Sequence, residues 1–357
     1  MRRSEAEPSR AAVEAPSLGQ PPLTSPFEIG PVRLQNRVML APLAGIGNWF
    51  VRLQARRYGA GMAVSEMISS FALAHRNPRT TGEMLRVHPD EGPLALQLFG
   101  HDPEVMRTAA AIAAEAGPQM LDLNMGCPVP KVVKTGAGAA LLDDPDLAVR
   151  VARAAVEGSG LPVTTKLRSG LEPGDRSGIE LALRLVAEAG IAAIAFHPRP
   201  ARQHHRGRPD YELVRELVER LQSAGTPVPV IVSGGLSTAE HARAAYRESG
   251  ADAVMIARGA LGNPWIFAEL TGAAVADADP TAVEQELRWL LDRAAEHWGP
   301  ERAARNLRKF YPWYVERLGL SGAEADRFQR TESLDEVREL LAASRRGAQK
   351  ARLAASL

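Results

Sequence analysis

The chain has 357 residues, 45% of them apolar and 24% charged, with 43 Lys and Arg set against 42 Asp and Glu. This composition supplies a full globular core and excludes a protein that holds polyanions by bulk charge, so any nucleic-acid contact has to come from a local patch. No run approaches the ~20 apolar residues of a membrane span and no apolar signal-peptide stretch opens the chain, which, with a single cysteine, fits a protein of the cytoplasm.

Residues 1–22 mix Pro, Ser, Ala and both charge signs without a hydrophobic period, and they are expected to form a disordered extension. From residue 23 the rhythm changes. Eight short apolar runs follow: VMLAPLAG (38–45), MAVSEMIS (62–69), PLALQLFG (93–100), MLDLNMG (120–126), PVTTKLR (162–168), AAIAFHP (192–198), VPVIVSGG (228–235) and AVMIARG (253–259). Helical patterns separate most of them. DPEVMRTAAAIAAEAG and STAEHARAAYRESG each open on an N-cap type, Asp102 and Ser237, and end in Gly. Near-continuous apolar strands alternating with helices predict a parallel sheet covered on its outside, and the count of eight predicts a closed (β/α)8 TIM barrel over residues 23–272. An open, doubly wound sheet would carry GxGxxG directly after an early strand; the chain offers only the GAG of residues 136–138, within a loop. Beyond residue 270 strand patterns stop. Residues 281–346 read as a smaller all-α C-terminal domain holding Trp289, Trp298 and Trp313, with 347–357 left as a tail.

In such a barrel the reactive face lies where the strands end, and these ends are polar: Gln97, Asn124 followed by Cys127, Lys166 and Arg168, His197, Ser233-Gly234-Gly235, and Arg258-Gly259. The glycines after strand seven and the Arg-Gly after strand eight fit a phosphate site built from backbone amides. With Lys166 and His197 nearby, the rim suits a phosphorylated cofactor with an electron-rich ring, a description that flavin mononucleotide (FMN) meets because a lysine can stabilise the charge of its reduced form near N1. Cys127 can form no intrachain disulfide and has no metal-ligand spacing around it. No base adjoins it, so it is read as a general acid that protonates the carbanion left by hydride transfer to an alkene. In the helical region Arg302, Arg305 and Lys309 fall at i, i+3 and i+7 with Arg308 beside them, a basic stripe preceding the aromatic cluster YPWY that could hold nucleic-acid phosphates.

These residues carry a resemblance. The segments LQLFG, LDLNMGCPVPKVVKTGAGAALL, PVTTKLRSG, VPVIVSGGLST, DAVMIARGALGNPWIF and RNLRKFYPWYVERLG resemble the tRNA-dihydrouridine synthases, most closely a bacterial subgroup, over about residues 27–340. The resemblance implies an FMN enzyme that reduces the C5=C6 bond of selected uridines in tRNA with electrons from NADPH. Carried over by position, Pro42, Leu43, Ala44, Gln97, Lys166, His197, Ser233, Gly234, Gly235, Ala257 and Arg258 hold FMN, Cys127 protonates C5 after hydride reaches C6, and Asn124 and Arg168 contact the uracil. The helical domain, through Arg302, Arg305, Arg308 and Lys309, grips tRNA, and the target base is extruded into the pocket; no metal and no stable protein partner is implied. The sequence departs from the family pattern at Ser233-Gly234-Gly235, at His197-Pro198-Arg199, at His205 and at Ala257. Two rivals make different demands. Another FMN barrel acting on a free pyrimidine or enoate would not need the basic stripe, and a non-catalytic tRNA-binding protein would not need the flavin.

Overall fold

The computed structural model describes residues 19–355. Eight parallel strands form its centre: Val38–Leu40, Met62–Val64, Leu94–Phe99, Met120–Met125, Val163–Arg168, Ala193–His197, Val230–Ser233 and Ala253–Ile256. They pair in chain order, and the pairing of strand eight with strand one (Val254 with Val38, Met255 with Met39, Ile256 with Leu40) closes the cylinder. Each apolar run therefore yields one barrel strand; the second run also contributes Ile68–Ser69, which pairs with Leu98 and Phe99. Strand pleating decides what each side chain meets. Val163, Leu167, Phe196 and Val232 point outward into the layer of helices, whereas Ala95, Ala193, Ala195, Ile231 and Met255 point into the lumen.

One element was not expected. An antiparallel hairpin, Phe27–Ile29 with Val32–Leu34, precedes the first barrel strand. Its Phe27, Ile29 and Leu34 pack with Met39, Met62, Ala95, Met120 and Ile231, so the lumen is plugged at the N-terminal ends of the strands and polar side chains are confined to the other end. The stretch FEIGPVRL holds only two brief apolar alternations around a Gly-Pro turn, too little for periodicity to reveal. The helix caps agree with expectation at Asp102, whose carboxylate accepts from the Glu104 and Val105 backbone N–H groups at 2.9 and 3.1 Å. Ser237 is corrected by one residue: Thr238 caps the helix Ala239–Ser249, accepting from the His241 backbone N–H at 3.1 Å, while the Ser237 hydroxyl bonds the His241 ring.

Past the barrel come the helices Pro280–Trp298, Pro300–Leu307, Tyr311–Arg317, Gly322–Arg330 and Leu334–Ala355. The last runs through most of the stretch expected as a tail, because RRGAQKARLAA is dominated by strong helix formers. The helical region has no separate core: Leu287, Leu290, Leu291 and Tyr311 belong to one apolar cluster with Trp49, Phe50 and Leu53 of the first barrel helix. Most of the expected N-terminal extension lies outside the described residues. Its end does not hang free, since Gln20 Nε2 donates to the carbonyls of Tyr246 and Ala251 at 3.0 and 2.7 Å. Among the described residues no helix is long and apolar enough to cross a membrane.

Candidate active site

Strand register stacks the inward residues in layers. Gln97 pairs with Asp122 and Asp122 with Thr164, forming one level; Asn124 pairs with Lys166, and Lys166 with Ala195, one step nearer the mouth; Arg168 pairs with His197 at the rim. Above them opens a cavity of about 1130 Å³. This exceeds the ~300–1,000 Å³ of a typical ligand pocket, enough for a cofactor and a base together. Cys127, Gln97, Asn124, Lys166, Arg168, His197, Ser233, Gly234, Gly235, Ala257, Arg258, Pro42, Leu43 and Ala44 all line it, so the structure brings together every rim residue singled out in the sequence. A second cavity of about 430 Å³, between Arg56, Arg57, Trp289 and Arg293, lies outside the barrel and touches no strand end.

Charge at the rim is mostly positive and incompletely paired. Burial lowers the Lys166 ammonium to about 8, with Arg168 adding to the effect and Asp122 and Cys127 opposing it; its Nζ donates to Ser233 Oγ at 3.1 Å. Burial likewise lowers Arg168 to about 10, with Arg199 contributing, and its Nη1 holds the carbonyls of Pro200 and His204 at 3.1 and 2.8 Å. Burial above all, then the charges of Lys166, Arg168 and Arg199, pushes His197 well below its ordinary range, so the ring is neutral at pH 7. Its Nε2 lies 3.2 Å from Arg199 Nη1. A guanidinium can only donate, so Nε2 accepts and the ring proton sits on Nδ1, leaving a donor for a ligand.

The residues fit a phosphorylated, ring-bearing cofactor. Lys166 and Arg258 line the cavity with the Ser233-Gly234-Gly235 turn, two cations and a glycine-rich backbone of the kind an anion calls for. Gly234 has φ of 94°, and a Cβ there would fall 2.4 Å from the His197 ring. Only glycine permits that backbone to lie beside the histidine. Among the described residues no cluster of three or more His, Cys, Asp or Glu has metal-binding geometry.

The helical region supplies a wall of the same cavity through Trp313, Glu316 and Arg317. It sits tightly against the barrel: a Cβ on Gly262, after strand eight, would fall 2.6 Å from Trp313 Cβ. The basic stripe divides. Arg302 grips the Glu83 carboxylate with two bonds of 2.5 and 2.7 Å, Arg308 holds the Thr331 carbonyl at 2.8 and 3.1 Å, and Lys309 Nζ reaches the Gly45 carbonyl on the rim. Arg305 alone of the four is exposed without such a tether.

The sequence model of the dihydrouridine synthase (Dus) family matches residues 39–351. Relatives include the tRNA-dihydrouridine synthase B of Xanthomonas axonopodis pv. citri (strain 306), 36% identical over 301 residues that make up 81% of this chain and 86% of that protein. A probable tRNA-dihydrouridine synthase of Mycobacterium tuberculosis (strain CDC 1551 / Oshkosh) is 35% identical, covering 88% of this chain and 84% of the other. The chain belongs to the dihydrouridine synthase family. It is therefore a member of a flavin-dependent oxidoreductase family. Among solved structures, morphinone reductase superposes with a TM-score of 0.51 at 20% identity, covering 75% of this chain and 94% of that one, and 2-naphthoyl-CoA reductase with 0.55 at 12%, covering 70% and 52%; both likenesses concern the barrel fold.

For this dihydrouridine synthase, sequence reasoning missed Asp122 and Thr164. Asp122 is 1% exposed, accepting from Gln97 Nε2 at 2.7 Å and Thr164 Oγ1 at 2.6 Å. Burial raises its carboxyl, against the pull of those two bonds and of Lys166. Both residues lie mid-run, away from the polar strand ends; the signal was parity, since each stands two places before an inward residue, Asn124 or Lys166.

Proposed function

We propose that the enzyme reduces the C5=C6 bond of selected uridines in tRNA to 5,6-dihydrouridine, in the cytoplasm, with FMN in the barrel mouth and NADPH as the reductant. The observation that carries this reading is a shared cavity: a lone thiol, two partly desolvated cations and the Gln97–Asn124 amides from the barrel face a wall of Trp313, Glu316 and Arg317 from the helical region. A catalyst for free pyrimidines or enoates has no use for a helical domain reaching over its mouth, and the names of the sequence relatives support tRNA.

Lys166, His197, Arg258 and the Ser233-Gly234-Gly235 turn would hold FMN, with Gln97, Ala257 and the Pro42-Leu43-Ala44 segment beside it. When bound, the flavin supplies the hydride for C6 and is restored by NADPH. Lys166 places positive charge where the reduced ring is electron-rich. Asn124 and Arg168 orient the uracil, Arg168 through the guanidinium nitrogens not committed to Pro200 and His204. Cys127 gives its proton to C5 as hydride arrives at C6, so the C5=C6 π bond is exchanged for two C–H bonds; solvent then reprotonates the thiolate. A stacked uridine would hide C6, so the base is extruded into the cavity. Arg305 and Arg317, exposed and facing outward or toward the mouth, take phosphates, while Arg302, Arg308 and Lys309 set the position of the helical domain that presents them.

The test is mass mapping of dihydrouridine in unmodified tRNA incubated with the protein, FMN and NADPH, alongside free uridine. Dihydrouridine at defined tRNA positions and none from free uridine is expected; reduction of free uridine alone rejects the proposal. Cys127→Ala should retain flavin and NADPH oxidation while slowing uridine reduction by ~10²-fold or more, and undiminished turnover would remove the thiol from the acid role.

A further inference from the structure

Amide side chains usually leave their orientation open, because oxygen and nitrogen look alike. At the barrel floor they cannot. The backbone N–H groups of Cys127 and Gly126, which can only donate, lie 3.0 and 3.3 Å from Asn124 Oδ1. Asn124 Nδ2 therefore turns the other way and meets the Gln97 amide at 3.0 Å. The Gln97 atom receiving it must be Oε1, which leaves Nε2 to donate, and 2.7 Å from it stands Asp122 Oδ2. Donors fix one end of the chain and a carboxylate fixes the other, so a single arrangement satisfies all of it. The remaining Asn124 hydrogen points at Met67 Sδ, 3.6 Å away, a weak acceptor that a carbonyl oxygen would readily replace.

We propose that Asp122 is a positioning residue: it sets the polarity of an Asp122–Gln97–Asn124 relay ending at the backbone of Cys127, and so commits Asn124 to donate toward the nucleobase. This rests on the uridine-reducing reading above and extends it to base choice. A uracil carbonyl accepts from Asn124 Nδ2, whereas the amino group of a cytosine at that place meets donor against donor. Thr164, with its hydroxyl 2.6 Å from Asp122 Oδ1, holds the carboxylate in register.

The decisive experiment exchanges the two end groups. Asp122→Asn, Gln97→Glu and the double variant are compared with the parent as holoenzymes, for unfolding midpoint and for dihydrouridine formation per tRNA. Gln97→Glu puts two acceptors face to face, and Asp122→Asn removes the charge that fixes the polarity and forces an amide hydrogen onto Thr164 Oγ1 in place of an accepted one; each should lower turnover roughly tenfold or more. In the double variant the amide introduced at position 122 donates to the carboxylate introduced at position 97, which still accepts from Asn124. Polarity and net charge are restored, and turnover should return to within about threefold of the parent, with the midpoint recovering in parallel. A double variant that loses what the two singles lose together overturns the relay, as does an Asp122→Asn enzyme that matches the parent in both measurements. If Asp122→Asn alone is insoluble, a soluble double variant supports the relay and an insoluble one rejects it. Should the parent form no dihydrouridine, the proposed function fails while the unfolding comparison still decides the relay.

Discussion

Lys166 stands where the sheet leaves it little water, and the low value of its ammonium, about 8, has a consequence for cofactor binding. An anionic or electron-rich ligand beside it favours the charged form. Above pH 8 the free site has lost that proton and binding must take one up, so FMN affinity should be level below pH 8 and fall by up to about tenfold per pH unit above it. Fluorescence titrations from pH 6.5 to 9.5 would check this, and Lys166→Met should give weaker affinity without the break. A pH-independent affinity in the parent would place the ligand elsewhere. The residues read from the sequence, Cys127, Asn124, Lys166, Arg168 and His197, were legible because each follows or closes an apolar run, where a polar side chain needs a reason. Asp122 was harder to see because a strand interior hides its lumen face from any search confined to ends. A carboxylate inside an apolar strand is itself costly, and the chain spends it on orienting Gln97.

At the scale of elements, the barrel strands were readable from their apolar runs, while the hairpin was too short to show and the intramolecular partners of the basic stripe were out of reach. Helical spacing put Arg302, Arg305 and Lys309 on one stripe, but the helix ends at Leu307 and Lys309 lies in the turn after it; nor can spacing show that Glu83 and the Gly45 carbonyl hold Arg302 and Lys309. The joint between helix Pro280–Trp298 and the first barrel helix rests on another long-range carboxylate. Glu286, 4% exposed, accepts from Gln54, Arg57 and Tyr58 at 2.9, 3.0 and 2.8 Å, and Gln54 also donates to Tyr314 Oη at 2.9 Å. Glu286→Ala leaves three donors facing a hole. It should cost about 3 kcal/mol of stability by denaturant unfolding; a loss under about 1 kcal/mol would mean that water replaces the carboxylate.

Across the whole molecule one apolar cluster runs from Leu23 to Leu341, through the barrel helices and the helical region. What the molecule does at large follows from the plug that Phe27, Ile29 and Leu34 form beneath the sheet. A cylinder stopped at its base has one doorway, and under the proposed reaction nicotinamide and nucleobase would both have to reach the same flavin through it. They would then take turns. Initial rates with NADPH and tRNA varied together should then trace parallel double-reciprocal lines, each visitor inhibiting at high concentration by lingering in the other's place; lines that converge would mean both fit inside at once.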